Sequence, residues 1–429
     1  MRDSLVNRLP FLFWSLLFAW LLAGCGTFEV GIERTSTPAA PTPTLIPTVF
    51  VSPVPTRVSG MLKPGQTVRI IKISMLNRAT GWAVGQVETD LTDHILFTGD
   101  GGQTWQERTP AQIFANQPPE GLSAAAFFDK LGNAWVSYSS QQAGLSAQGV
   151  WRSTDQGTSW QLGQPFDLTG VSAEIFALDQ MGFLDAQYGW ALAHLGAGMS
   201  HDYIAIYTTQ DAGQTWQRVV DPEKNPDLMA CPKSGLAFSS AARGWLTGDC
   251  PGLMESLFLF SSVDGGQSWQ RAALDAPAGQ PADFLSQGNP VCGIPGLVYS
   301  TARATLFDVR CQLGDAQKTV TWLYVGLGNN PPEARKLPLP FGSLDFISQD
   351  EGWLVGSEQN DLAAPGAIYH TTDGGQTWKL MTETAWQGRA DFVDSETGWV
   401  IAQSAQKLAL VKTINGGTTW EALTPRIVP

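Results

Sequence analysis

The chain has 429 residues, 43% of them hydrophobic, with 45 glycines, 27 prolines and 17 tryptophans. Charged residues make up 15% and the formal net charge is -13: the aromatic content excludes a disordered polyelectrolyte, and the acidity excludes nucleic acid as a partner because phosphates are repelled. Length alone suggests roughly two or three ordinary domains, but internal repeats override such a count.

At the start, Arg2 and Arg8 flank a short basic segment, and an apolar run follows from Phe11 to Leu22. The run is too short to cross about 30 Å of hydrocarbon as a helix and suits the core of a signal peptide. It closes on Leu22-Ala23-Gly24-Cys25, small residues before a cysteine that resemble a bacterial lipobox. That resemblance implies cleavage before Cys25 and a diacylglycerol on its sulfur, which makes residues 1–24 a lipoprotein signal peptide. The alternative is an ordinary signal peptide, or a short anchor, with an incidental cysteine. Residues 25–61 then carry the lipidated cysteine and a Thr/Pro-rich linker. Dense prolines favour extended polyproline II over a sheet ladder, and at about 3.1 Å per residue the linker would reach up to roughly 100 Å from a bilayer. The expected location is extracytoplasmic, lipid-anchored to a cell membrane.

From residue 62 to residue 429 one phrase recurs: Ser or Thr, any, Asp, any, Gly, any, Thr or Ser, Trp. It reads TGDGGQTW from Thr98, STDQGTSW from Ser153, TQDAGQTW from Thr209, SVDGGQSW from Ser262 and TTDGGQTW from Thr371. The last copy, TINGGTTW from Thr413, has Asn415 in place of the aspartate. A second tryptophan precedes each copy: Trp82, Trp135, Trp190, Trp245, Trp353 and Trp399. Alternating apolar segments such as HILFT and AIYHT between the two read as short strands. The phrase itself reads as a hairpin turn, with glycine supplying positive φ and aspartate bonding backbone N–H groups. Each unit therefore predicts four strands.

The interval from Trp269 to Trp378 is two units wide, so a degenerate unit is expected around residues 290–330. CPKSGLAFSSAARGWLTGDC (Cys231 to Cys250) aligns with CGIPGLVYSTARATLFDVRC (Cys292 to Cys311) without a gap, placing Leu306 where Trp245 stands. Seven units of about 53 residues predict an all-β, seven-bladed propeller of four-stranded blades. With Cys25 lipidated, four cysteines remain, and their matched spacing selects Cys231–Cys250 and Cys292–Cys311 from the three pairings. Disulfides of this kind persist outside the cytoplasm. The rival, a four-thiolate zinc site, lacks the CxxC spacing it would need.

The paired GWAVG and TxDGGxTW phrases resemble the Asp-box propellers of the photosystem II stability and assembly factor family, over roughly residues 62–429 apart from the degenerate unit. That resemblance implies a non-enzymatic assembly factor that binds membrane-protein subunits from the lumenal or periplasmic side. The Asp-box is also carried by sialidases, xyloglucan-cleaving glycosidases and sortilin-type receptors.

The residues themselves offer no catalytic set. Asp100, Asp155, Asp211, Asp264 and Asp373 occupy the same turn of different blades, whereas a glycosidase needs two carboxylates about 5 to 9.5 Å apart. Only Trp151, Trp322 and Trp386 remain outside the repeat positions and the leader for a sugar-binding platform. The sialidase Phe-Arg-Ile-Pro phrase has only a PRIVP echo at Pro425 to Pro429. His94, His194, His201 and His370 show no metal-ligand spacing, so no metal or cofactor is expected.

If the first strand of each blade runs from top to bottom, the Asp-box turns lie at the bottom. The variable segments 86–93, 139–148, 194–203, 217–234, 270–291 and 357–366 then lie at the top, where a rigid scaffold presents its binding loops. His201, Asp202 and Asp249 are the candidate contacts there, His201-Asp202 forming a compact polar pair. The expected function is a membrane-tethered, non-enzymatic scaffold for a protein partner; the alternative is an extracytoplasmic glycan-binding or glycan-hydrolysing propeller.

Overall fold

Each repeat folds into one antiparallel sheet. The computed structural model describes residues 61–429 apart from 89, 115–120, 141–148, 200, 251–256, 287–289, 301–303, 315–317, 328–330 and 406. Cys25, the leader and all but the last residue of the linker lie outside these residues, as does most of the 139–148 loop. Seven sheets follow in chain order, each with four strands in sequence order from the inside out.

Blade 1 comprises Arg69–Met75, Gly81–Val87, Asp90–Thr98 and Thr104–Glu107; blade 2, Leu122–Phe128, Ala134–Ser140, Trp151–Ser153 and Gln161–Leu162. Blade 3 comprises Ala177–Phe183, Gly189–Gly198, His201–Thr209 and Gln217–Val220; blade 4, Lys233–Phe238, Gly244–Gly248, Phe258–Ser262 and Gln270–Arg271. The degenerate unit is a full blade 5, made of Val291–Ser300, Ala304–Leu313, Lys318–Leu327 and Glu333–Lys336. Blade 6 has Phe341–Phe346, Gly352–Ser357, Gly366–Thr371 and Lys379–Thr384, and blade 7 has Gln387–Phe392, Gly398–Ser404, Lys407–Thr413 and Glu421–Leu423. First strands of successive blades touch around a closed ring, so they line a central channel.

The apolar core is divided into seven clusters, each spanning two neighbouring blades. The second-strand tryptophans fill these gaps. Trp353 stacks on Phe392 of the next blade at 3.7 Å between ring centres, and Trp135 stacks on Phe183 at 4.1 Å. The glycine before the tryptophan makes room for a phenylalanine of its own blade: a Cβ at Gly352 would stand 2.5 Å from Phe346, and one at Gly398 would stand 2.4 Å from Phe392. In blade 5, where Leu306 replaces the tryptophan, Phe307 and Tyr324 stack with planes 4° apart and Trp322 joins the core.

The ring closes with a strand that the repeats do not announce. Arg426–Val428 lies parallel to Thr104–Glu107 as a fifth strand of blade 1. Gly65 N donates to Ile427 O at 2.8 Å and Val68 N to Pro425 O at 3.1 Å. The terminal PRIVP string is thus the clasp of the propeller.

Candidate functional site

The Asp-box aspartates are fully engaged within their own turns. In all six copies the Asp or Asn Oδ1 accepts the N–H of the Thr or Ser four residues on at 2.9 Å. In blade 1, Thr104 Oγ1 also donates to Asp100 Oδ2 at 2.6 Å, and Gly102 N donates to Thr98 Oγ1 at 3.0 Å. The Thr377 hydroxyl and N–H hold the Asp373 carboxyl down at about 2. The same donors hold Asp155 and Asp264 low, and in Asp100 and Asp211 they outweigh burial, the largest single influence there, which pushes up. Carboxylates committed to a turn in this way have a structural role.

The turns also tie blades together. Trp135 Nε1 donates to Ala212 O in the Asp-box of the next blade at 2.9 Å; Trp353 does the same to Gly416 O at 3.1 Å and Trp399 to Gly101 O at 2.9 Å. At these three junctions one blade's tryptophan reads the next blade's turn, whereas Trp190 Nε1 donates instead to Leu236 O at 3.2 Å in the first strand of blade 4.

The opposite face carries the second-to-third-strand hairpins and both disulfides. Cys231 is bonded to Cys250 at the top of blade 4, with the Cα atoms 5.4 Å apart, and Cys292 to Cys311 at the top of blade 5, 4.1 Å apart. Such bridges belong to oxidising, extracytoplasmic compartments. The longest second strand in a blade that carries an Asp-box is Gly189–Gly198, which with His201–Thr209 forms a tall hairpin on blade 3.

At the base of this hairpin lies a polar cluster that spans blades 3 and 4. His194 Nδ1 meets Asp202 Oδ1 at 2.6 Å and its Nε2 faces Asp179 Oδ2 at 3.6 Å. Hydrogen bonding to Asp179, then to Asp202, raises the imidazole to about 9, so it is a cation at neutral pH. Burial is the strongest single influence on Asp202 and pushes it up, but His194 and Lys233 together hold it low. Lys233 N donates to Asp202 Oδ2 at 3.0 Å, and Lys233 Nζ donates to Ala230 O at 2.8 Å and lies 4.9 Å above the Phe258 ring. Burial pulls the Lys233 amine down to about 8.

This corrects the sequence reading at one point. His201 and Asp202 do not form a pair. Adjacent strand residues face opposite ways: Asp202 is 6% exposed and bonded to His194, while His201 faces solvent beside Tyr203, their ring centres 6.1 Å apart. Asp202 is a brace, and the exposed groups on this hairpin are His201, Met199 (94% exposed) and Tyr203 (38%). Ile175, 49% exposed, donates its N–H to Leu195 O and so belongs to the same rim. His194, Asp179 and Lys233 were not legible as a group, because they come from three separate strands.

Asp249 sits half-buried at the top of blade 4, its N–H donating to Pro232 O at 3.0 Å. Burial raises its carboxyl, with Arg310 opposing. Across the blade junction burial also raises Asp308, to about 6, and Arg310 lies between these influences, its Nε donating to Pro340 O at 3.1 Å. Lower in the channel, Asp345 accepts Phe392 N and Asp391 accepts Met75 N, each at 2.6 Å. Trp151 and Trp322 are core residues and Trp386 packs edge-on against Trp420, 5.7 Å between ring centres. Of the remaining histidines, His94 meets Glu107 at 2.6 Å and His370 meets Glu351 at 3.1 Å. Among the described residues no three His, Cys, Asp or Glu side chains converge as metal ligands.

Seven four-stranded blades closed by a clasp, with Asp-box turns on one face, define an Asp-box (BNR-type) β-propeller, and residues 369–380 match the family model for the BNR/Asp-box repeat. The chain resembles the photosystem II assembly lipoprotein Ycf48 of Synechococcus sp. (strain CC9902): 38% identity over 82 residues, 19% of this chain and 22% of that protein. It also resembles a xyloglucanase from Paenibacillus sp., with 21% identity over 296 residues, 67% of this chain and 23% of that enzyme. The aligned stretches thus take in under a quarter of the length of either relative. A solved structure of YCF48 bound to D1 peptide superposes with a TM-score of 0.50 and 17% identity, covering 82% of this chain and 96% of that one. An oligogalacturonate lyase in complex with manganese superposes at 0.56 with 8% identity, covering 82% and 90%. The structural likenesses support the fold, and the similar proteins include both an assembly lipoprotein and polysaccharide-cleaving enzymes.

Proposed function

We propose that this protein is a membrane-tethered, extracytoplasmic scaffold that docks a protein partner, such as a subunit of a membrane complex, through the top face of blades 3 and 4. The observation that carries this reading is the blade 3 hairpin. It exposes Met199, Tyr203 and neighbouring Ile175 on a base braced by His194, Asp202, Lys233 and the Cys231–Cys250 bridge. Exposed apolar side chains on a rigid support mark interaction sites. The Ycf48 likeness, at 38% identity over its span, supports the same direction. Replacing Met199 and Tyr203 by aspartate is expected to abolish co-purification with the partner while leaving the melting temperature unchanged; retained capture would refute the reading. Tethering rests on Cys25: Cys25→Ser is expected to move the protein from the membrane fraction to the soluble extracytoplasmic fraction.

A second reading is favoured by Asp249 and Asp308, two carboxyls raised by burial and facing one arginine, the kind of pairing that acid–base cleavage of a glycan uses. Hydrolysis of xyloglucan or cleavage of oligogalacturonate, lost in Asp308→Asn, would establish it in place of the first.

A further inference from the structure

Blade 7 is incompletely covered. Its fourth strand, Glu421–Leu423, pairs only with Leu410, Val411 and Lys412 of the third strand, Lys407–Thr413. In blade 6 the same pairing runs from Gly366 opposite Thr384 to His370 opposite Lys379. In blade 3, where the fourth strand is also short, the bare upper stretch is capped, because Asp202 N donates to Met229 O and Ala230 bridges to His201. Lys407, Leu408 and Ala409 have no such cap: among the described residues no main-chain hydrogen bond reaches them from outside their sheet.

Beside this edge lies a groove of about 860 Å³ at the top of the junction between blades 7 and 1. Its apolar lining comes from part-buried Leu408 and from the core residues Val68, Ile70, Val87 and Leu410, against whose cluster Leu408 packs, together with Pro425. The repeat fixes which way the edge points. The carbonyl of Ile95 accepts from Arg108, that of Val150 from Gly163 and that of Leu259 from Ala272, each at the same place relative to its Asp-box. The corresponding residue in blade 7 is Leu410, opposite Leu423. Groups on one side of a strand recur at every second residue, so Leu408 turns its N–H and C=O to the outer edge that the fourth strand leaves uncovered.

We propose that this groove receives an extended polypeptide segment of a partner protein, which adds to blade 7 as an outer strand on Leu408. The inference rests on the protein-partner reading and names a second, separate contact for it. A bare strand edge is recognised by another main chain, which supplies N–H and C=O groups at the same spacing; a glycan does not. The apolar lining suits an apolar side chain of the added segment beside Leu408. Arg69, Lys407 and Glu88 also line the groove, two positive charges to one negative, a balance that favours an acidic residue on the segment.

The probe is a displayed library of random heptapeptides selected on the whole protein. Enriched peptides are expected to share an apolar residue and to slow amide exchange at 407–409. They should bind Leu408→Pro, which loses both the outward N–H and the leucine side chain, about tenfold or more weakly than Leu408→Ala, which loses the side chain but keeps the N–H. If Leu408→Pro fails to fold, protection of 407–409 in the natural protein still decides the matter. No enrichment, peptides that protect other residues, or protection of 407–409 by self-association without peptide would each overturn the inference. Partner capture that depends on Met199 and Tyr203 but survives blocking of the groove would overturn this inference alone and leave the proposed function standing.

Discussion

Two of the six Asp-box turns put a non-glycine residue at a left-handed position: Gln156 at φ 57° and Ala212 at φ 65°, where Gly101 in blade 1 has φ 76°. A side chain there costs about 1–2 kcal/mol relative to the right-handed region, part of which glycine returns through unfolded-chain entropy. Gln156 is exposed and its side chain is not needed by the turn. Gln156→Gly is therefore expected to stabilise the protein by up to about 1 kcal/mol, read from denaturant melts. The carboxyls set a pH optimum. The Asp-box aspartates, depressed as far as about 2 in Asp373, contribute stability above their unfolded value of 3.8 and lose it as pH falls through the folded value. Asp308 and Asp345, each raised by burial to about 6, act in the opposite sense: their contribution is full below 3.8 and is lost as pH rises through about 6. Taken together these groups place the stability maximum near pH 4, with a loss toward about pH 2 as the Asp-box carboxylates protonate and a loss toward about pH 6 as Asp308 and Asp345 ionise. Asp345→Asn keeps an acceptor for Phe392 N and removes the buried charge, so it should add about 1–3 kcal/mol at pH 7 and nothing at pH 4.

At the scale of strands and turns, the unit of stability is the contact between one blade's second strand and the next blade's turn. Trp353 gives both a ring stack on Phe392 and an N–H to Gly416 O. Trp353→Phe keeps the stack and orphans the buried carbonyl, and is expected to cost about 1–2 kcal/mol. An unchanged melt would show that the inter-blade hydrogen bond is dispensable. This scale also separates what the sequence discloses from what it hides. Asp-box turns and blade boundaries are written in patterns within one unit, blade 5 in the double interval from Trp269 to Trp378, and the matched interval between Cys231 and Cys250 and between Cys292 and Cys311 picks out their pairing. The His194–Asp202–Lys233 brace joins three strands of two blades, its members separated in the chain by up to 39 residues. No short-range phrase marks it, and the adjacent His201-Asp202 pair, which is conspicuous in the sequence, is split by the pleat.

For the whole molecule, the ring is closed by Arg426–Val428, a segment outside every repeat. Its strand character was not legible because its partners, Thr104–Glu107 and residues 65–68, lie at the other end of the chain. Closure gives a rigid body with two unlike faces: one of committed Asp-box turns, the other carrying the disulfides, the blade 3 hairpin and the groove at blade 7. The central claim is that the second face docks a protein. The most direct test places a photo-crosslinking residue at Met199, and in a control at Asn415 on the Asp-box face, in the full-length protein expressed in its own cells. The account predicts a reproducible membrane-protein adduct from Met199 and none from Asn415. Adducts from both positions alike, or from neither, would contradict it.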